Sequence, residues 1–574
     1  MKALICVKYP AADGVELAAD IYLPEGPGPF PVILTRTPYD RVQHLGGHAA
    51  DLVKYGYAYV ATDCRGRFES AGTFTRMFDE VDDGQATVDW IAEQSWCNGR
   101  IGMWGLSYGA AFQVPAAVGG HEAIRCLCPS VVCVRFFENW SRYDGCFALQ
   151  NPLWWIMGNG AYRTKPPVHH VDWQALYRMK TLDEVEAAIG FPLDMLREIA
   201  DHDTDDEFWE HINQWPMHER IRVPAMHTAG WFDHVSMGQF ESYERIRDLG
   251  ATQAARAGQR LFVGPWYHII TKAGSEHRRF GTWDFGEDAD VSVRDYHRRF
   301  FDLHLKDIDD GISEEPPVRV FLMGENRWLD LPDWPPEADM QQWHLSSDGH
   351  AHGQRGDGSL SRTAPTATAH DNLVYDPDNP VGTCGGQIFW NMEGGGPQDQ
   401  RHLLERDDML YYQSEPLAEP LCVIGNVSVD LTIATDVDDT DMIARLCVVE
   451  ASGAVTCILV GSFRCRYREG FDKRVPLVHG EPTALHFRLS QLAYTFPVGS
   501  RVALSVTSSD FPRVQPHTNT MAKPWVDEPP VIAHTDVLHG GGIKSSLNLP
   551  VVTDIATGTS GMEHPVARGP RSRV

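Results

Sequence analysis

No run approaches the roughly 18 consecutive apolar residues of a membrane-spanning helix, in a chain of 574 residues. The opening stretch, Met1-Lys2-Ala3-Leu4-Ile5-Cys6-Val7-Lys8, is also too short in its apolar part for a secretory signal. The twelve cysteines form no CxxC pair and no Cys/His metal spacing. Several of them (Cys126, Cys128 and Cys133) fall in apolar, strand-like runs, so they read as reduced, buried cysteines of a cytoplasmic protein. Positive charge is scarce. Fifty Lys and Arg stand against 78 Asp and Glu, a formal net charge of −28, which argues against nucleic acid and anionic membranes as partners. No internal repeat is present. What remains is an ordinary globular composition, 43% hydrophobic and 22% charged, at a length that calls for roughly two to four domains.

One stretch organises the rest: Arg100-Ile101-Gly102-Met103-Trp104-Gly105-Leu106-Ser107-Tyr108-Gly109-Ala110. Ile101 to Trp104 reads as a short buried strand, and a helix can begin after Gly109. Between them lies Gly-x-Ser-x-Gly with Ser107 at its centre. A serine at the tip of a strand-to-helix turn has a strained backbone, and side chains at Gly105 and Gly109 would collide with the neighbouring strand and helix. The turn presents the hydroxyl and aims a helix N-terminus where an oxyanion would form. Ser107 is therefore the candidate nucleophile.

Around it, strands read over 15–24, 32–34, 57–62, 124–134, 223–227 and 260–263, the first with one wet face, and helices over 79–95 and 291–305. This alternation predicts a mostly parallel sheet covered on both faces. Residues 135–220 break the pattern with many aromatics, a Pro-Pro turn at 166 and helical runs near 181–200 and 204–214, without strand rhythm. They read as a helical cap. After about 317 come strand-like segments over 318–323, 342–345, 421–434, 444–450, 484–489 and 501–508, an all-β sandwich of jelly-roll type. The tail beyond about 555 reads as loosely held.

A serine hydroxyl needs a base, and the base an orienting carboxylate. In such a sheet, functional groups gather past the C-terminal ends of strands. Two ends qualify: Ala229-Gly230-Trp231-Phe232-Asp233 and Gly264-Pro265-Trp266-Tyr267-His268. The order Ser107, Asp233, His268 is that of α/β-hydrolases. Among the other histidines, His227 lies inside a strand, His234 one residue past the acid and His277 in a charged loop, so His268 is the candidate base. The backbone N–H of Tyr108 and the phenol of Tyr39, held by Pro38, are the candidate oxyanion donors.

The motifs Arg36-Thr37-Pro38-Tyr39-Asp40, Asp63-Cys64-Arg65-Gly66, Gly105-Leu106-Ser107-Tyr108-Gly109, Gly230-Trp231-Phe232-Asp233 and Gly264-Pro265-Trp266-Tyr267-His268 resemble those of the bacterial cocaine esterase family. That family is kin to the X-Pro dipeptidyl-peptidases and the α-amino acid ester hydrolases. The later stretches Tyr375-Asp376-Pro377, Gly396-Pro397-Gln398-Asp399-Gln400-Arg401 and Arg406-Asp407-Asp408 carry the likeness across nearly the whole chain. The resemblance implies the Ser107/His268/Asp233 triad, Tyr39 as second oxyanion donor, and a structural, ion-pairing role for Arg65. It also implies an aromatic acyl pocket, here Trp140, Trp155, Phe389 and Trp390. The acids with which the amino acid ester hydrolases hold an ammonium are replaced by Val235, Ser236 and Ser141. Val235 also stands where the cocaine esterases have phenylalanine, which speaks against cocaine itself as a substrate.

The expected organisation is an α/β-hydrolase domain over 1–134 and 221–316, a cap over 135–220 and a jelly roll over 317–574. The expected function is a serine hydrolase cleaving carboxylic esters with a bulky or aromatic acyl part, without metal or cofactor. An acylase or peptidase acting on amides with the same triad is the alternative, and a non-catalytic carbohydrate-binding protein a remote one. The expected partner is a small-molecule ester or amide, not nucleic acid or membrane. Related enzymes include dimers, so a homodimer is one expected state.

Overall fold

The computed structural model describes residues 1–46, 48–75, 77–164, 171–270, 278–389 and 394–553. Trp390, the Pro-Pro turn at 166, His277 and the tail beyond 555 lie outside the described residues.

Ten strands make the first sheet: β1 (Lys2–Pro10), β2 (Glu16–Leu23), β3 (Phe30–Thr37), β4 (Ala58–Asp63), β5 (Cys97–Leu106), β6 (Ile124–Ser130), β7 (Ala225–Gly230), β8 (Gln259–Gly264), β9 (Val318–Leu322) and β10 (Arg327–Leu331). Their spatial order is β1-β2-β4-β3-β5-β6-β7-β8-β9-β10. Pairings from β4 through β9 are parallel, and those of β1, β2 and β10 are antiparallel. Parallel strands need crossovers, and these place helices on both faces. Helix Glu80–Ala92 buries Val88 and Ile91 against Leu17, Val32, Leu34 and Val60 on one face. Helix Val293–Lys306 buries Phe300, Phe301 and Leu305 against Ile33, Tyr59 and Trp104 on the other. Each fully buried side chain of this size contributes roughly 1.5–3 kcal/mol.

Two expectations are corrected here. β2 has no wet face, because every residue from Leu17 to Leu23 is buried; the layers on both sides of the sheet cover it. The strand expected at 318–323 belongs to the first sheet and not to the jelly roll. β9 pairs in parallel with β8, and the hairpin to β10 adds one more strand at that edge.

Between β6 and β7 the chain is mainly helical, with helices Gln150–Trp155, Leu182–Ile189, Asp194–Asp201 and Glu207–Ile212. Leu182–Ile189 opens on a capping box in which Thr181 and Glu184 satisfy each other's backbone N–H. A hairpin of two-residue strands, Arg142–Tyr143 and Cys146–Phe147, interrupts the helices where no strand rhythm is legible in the sequence.

The C-terminal domain is a largely antiparallel sheet of twelve strands. Its longest member, Leu421–Thr435, pairs with Thr483–Phe496, Ala533–His539 and Ser546–Val551. All twelve cysteines are free, and all but Cys6 and Cys384 are buried. Among the described residues, no helix is long and apolar enough to cross a membrane.

Candidate active site

Ser107 stands between β5 and a short helix, Tyr108–Ala111, with φ 57° and ψ −127°. For a residue with a Cβ this is a strained conformation of the kind found where a side chain must be presented. The glycine two residues earlier makes it attainable. A Cβ on Gly105 would stand 2.3 Å from the carbonyl oxygen of Gly109, so any side chain there would push the helix off the strand. At Gly109 the nearest atom would be Arg36 O at 3.2 Å, tight rather than forbidden.

The loops after β7 and β8 are laced together. Trp231 N–H donates to Gly264 O and Phe232 N–H to Trp266 O, each at 2.9 Å. This brings Asp233 beside His268, whose Nδ1 is 2.8 Å from Asp233 Oδ1. His234 Nδ1 reaches the same oxygen at 3.0 Å. A carboxylate only accepts, so both rings donate from Nδ1 and leave Nε2 as a bare acceptor. Neither Nε2 has a hydrogen-bond partner among the described residues. Burial alone would raise the Asp233 pKa. The two imidazoles outweigh it and hold the carboxyl well below the usual carboxylate range. His234 is pushed down to about 4 by burial, against the pull of Asp233, so its ring is neutral near pH 7.

Asp233, His234 and His268 are the group among the described residues whose donor atoms, all within 4.8 Å of one another, could meet a metal ion. In the arrangement seen, both Nδ1 atoms carry protons directed at the carboxylate and are not free to ligate.

The Tyr39 hydroxyl donates to Ser107 Oγ at 3.4 Å and accepts from Trp155 Nε1 at 3.0 Å. The backbone N–H of Tyr108 is also directed at the Tyr39 oxygen. Burial raises the phenol's pKa, which keeps it a protonated donor. Two arginines absent from the sequence reading hold this loop. Arg41 Nε lies 2.9 Å from Asp20 Oδ1, and Arg41 also pairs with Asp63. Arg67 Nε donates to Pro38 O at 2.9 Å. Arg65 pairs instead with Asp13 at 2.7 Å and Asp83 at 2.6 Å, pinning the β1–β2 turn to helix Glu80–Ala92.

Ser107, Tyr108, His234 and His268 line one small cavity, whose apolar wall includes Phe136, Trp140, Trp155, Val235 and Phe389. Trp155 stacks on Tyr108 at 5.1 Å and meets Trp140 edge-on at 5.6 Å. Phe389 arrives from the C-terminal domain: Ile388 N–H donates to Phe232 O at 2.8 Å. That contact seats Phe389 over His268 and His234, with ring centres 4.8 and 4.9 Å away. Ser141, by contrast, donates its hydroxyl to the carbonyls of Phe136 and Phe137.

A serine at a strained strand-to-helix turn, in one cavity with a histidine that is bound to a buried aspartate at the ends of a parallel sheet, defines a serine hydrolase of the α/β-hydrolase class. Residues 13–270 match the X-Pro dipeptidyl-peptidase (S15 family) domain and residues 310–548 the X-Pro dipeptidyl-peptidase C-terminal non-catalytic domain. The chain is 31% identical to the cocaine esterase of Rhodococcus sp. (strain MB1 Bresler) over 90% of its own length and 92% of that protein's. A solved α-amino acid ester hydrolase is 27% identical, with a TM-score of 0.83 and 96% of each chain covered. A CocE/NonD family hydrolase from Staphylococcus aureus, at 17% identity and TM-score 0.71 over 96% of this chain and 94% of that one, shares the fold. The chain belongs to the CocE/NonD family of hydrolases.

Proposed function

We propose that the protein hydrolyses carboxylic esters with a bulky or aromatic acyl part, through an acyl-enzyme on Ser107. The Ser107 oxygen attacks the ester carbonyl while His268 Nε2 takes the hydroxyl proton. Asp233 holds the ring through Nδ1 and stabilises the imidazolium. The oxyanion accepts from Tyr39 OH and Tyr108 N–H. The carbonyl–oxygen bond then breaks, and His268 returns the proton to the leaving alcohol. Water, deprotonated by the same Nε2, attacks the acyl carbon and releases the acid and free Ser107. The observation that carries this reading is the bare Nε2 of His268 in the same cavity as Ser107, with its Nδ1 on Asp233.

The aromatic wall supports a bulky acyl group, and Val235 gives it no charge with which to hold an ammonium. Matched 4-nitrophenyl esters and 4-nitroanilides of one phenylacyl group test the bond preference. The ester is expected to be the much better substrate by kcat/KM. An anilide cleaved as fast as its ester would transfer the reading to an amidase.

Tyr39→Phe is expected to lower kcat by roughly 10²–10³-fold, the usual cost of one oxyanion donor. KM should change little, because the phenol's hydrogen bond matters most once the oxygen is charged. Steady-state kinetics on the ester checks both; unchanged kcat would remove Tyr39 from the mechanism.

A further inference from the structure

His234 takes no part in the reaction above, yet it is built into the site. Its Nδ1 shares Asp233 Oδ1 with His268, and its side chain is 1% exposed. The ring is held edge-on between His268 and Phe389, with centres 4.9 Å from each. With Nδ1 donating, Nε2 is a lone pair, and it is buried with no hydrogen-bond partner among the described residues. The ring lines the cavity that holds Ser107. The walls around it (Phe136, Trp140, Val235 and Phe389) carry no strong acceptor. Beside the reacting groups Ser107 and His268 and the ring of Tyr108, the chamber is walled by apolar side chains, and a neutral imidazole with one free lone pair there asks for a donor from whatever fills it.

We propose that His234 Nε2 accepts a hydrogen bond from a neutral donor, a hydroxyl or an amide N–H, on the acyl part of the substrate. The preferred substrates are then hydroxyacyl or acylamino esters rather than their analogues without a donor. This deepens the ester reading and rests on it. An ammonium fits less well, since the lining of this cavity supplies no counter-charge. Sites built to bond a polar substrate group reject the analogue that lacks it, because the acceptor is then left buried and unpaired.

The test compares kcat/KM within pairs of methyl esters. Methyl mandelate and methyl N-acetylphenylglycinate are each set against methyl phenylacetate, and methyl 3-hydroxy-3-phenylpropanoate against methyl 3-phenylpropanoate. The ratio within a pair cancels any loss that a substitution at 234 inflicts on the triad through Asp233. The wild-type protein is expected to prefer at least one donor-bearing ester by roughly 10-fold or more. In His234→Phe that preference should fall to within about twofold, with the donor-less ester still cleaved, because only the lost acceptor distinguishes the members of a pair. His234 also borders a second cavity, lined by Asn139, Asp144 and Arg488. If its lone pair is met from that side by water, the wild type will show no preference in any pair. That result overturns the inference, needs no variant to fold, and leaves the ester reading standing. A preference that survives His234→Phe overturns the assignment to His234, and failure to cleave any ester overturns both readings.

Discussion

Replacing Ser107 with alanine is expected to lower kcat on the preferred ester by at least ~10³-fold, and to abolish labelling by a fluorophosphonate probe, with the fold unchanged. The fold should survive because the strain at this position belongs to the backbone. Alanine meets the same steric cost as serine at φ 57°, and Gly105 still leaves room for the turn. Ser107 Oγ accepts one side-chain hydrogen bond, from Tyr39, and that hydroxyl keeps its contact with Trp155. The loss is therefore chemical. The nucleophilic oxygen itself is gone, and what activity remains comes from water held in the same cavity. The double variant Ser107→Ala/His268→Ala should be scarcely worse than the single one, because the two groups act as a unit. Multiplicative losses, or a single variant within about tenfold of wild type, would mean that the nucleophile lies elsewhere.

The strand ends that frame this site were legible because each motif falls just past a strand-like run: Leu261-Phe262-Val263 before His268, and Val223-Pro224-Ala225-Met226-His227 before Asp233. The supports were not. Arg41 and Arg67 are ordinary arginines in the sequence, and only the fold brings Asp20, Asp63 and Pro38 O to them. Trp155 was readable as an aromatic wall, but its indole N–H on Tyr39 depends on how helix Gln150–Trp155 lies over the loop after β3. In the sequence, His234 is legible only as a neighbour of the acid. Spacing cannot say that His234, next to the acid in sequence, and His268, far from it, donate to the same carboxylate oxygen. In the C-terminal domain the sequence does not announce Ala369–Tyr375 and Ala533–His539, although they alternate, because their buried faces carry Asp371, Thr535 and His539 among the apolar side chains and blur the period-2 signal.

Asp203→Ala is expected to destabilise the protein by about 3–5 kcal/mol, the usual cost of breaking a buried ion pair by removing one partner. Asp203 lies between helices Asp194–Asp201 and Glu207–Ile212 of the segment that carries Trp140 and Trp155, and its carboxylate is met from both domains. Arg142, from the same helical segment, lies 3.4 Å away. Arg466 and Arg474, from the C-terminal domain, lie 3.3 and 3.2 Å away, and the Tyr467 hydroxyl donates at 3.0 Å. Arg142 and Arg466 have no exposed side-chain surface. Asp439 also pairs with Arg466, but among the described residues Asp203 is the acid paired with Arg142, whose pKa burial already pushes down. Alanine would leave that guanidinium with the carbonyls of Ile199 and His202 and the rings of Phe137 and Trp209, over which it lies at 4.5 and 5.6 Å, but without its counter-charge. Denaturant unfolding followed by tryptophan fluorescence measures the loss. Asp203→Asn, which keeps the shape and two lone pairs but not the charge, should fall between alanine and wild type. The contact also joins the segment bearing Trp155 to the domain bearing Phe389, so loosening it should lower kcat/KM on bulky esters under conditions where the protein is still folded. A stability change below about 1 kcal/mol for the alanine variant would show that solvent or Asp439 already neutralises the cluster, and that the helical segment is held by its apolar contacts alone.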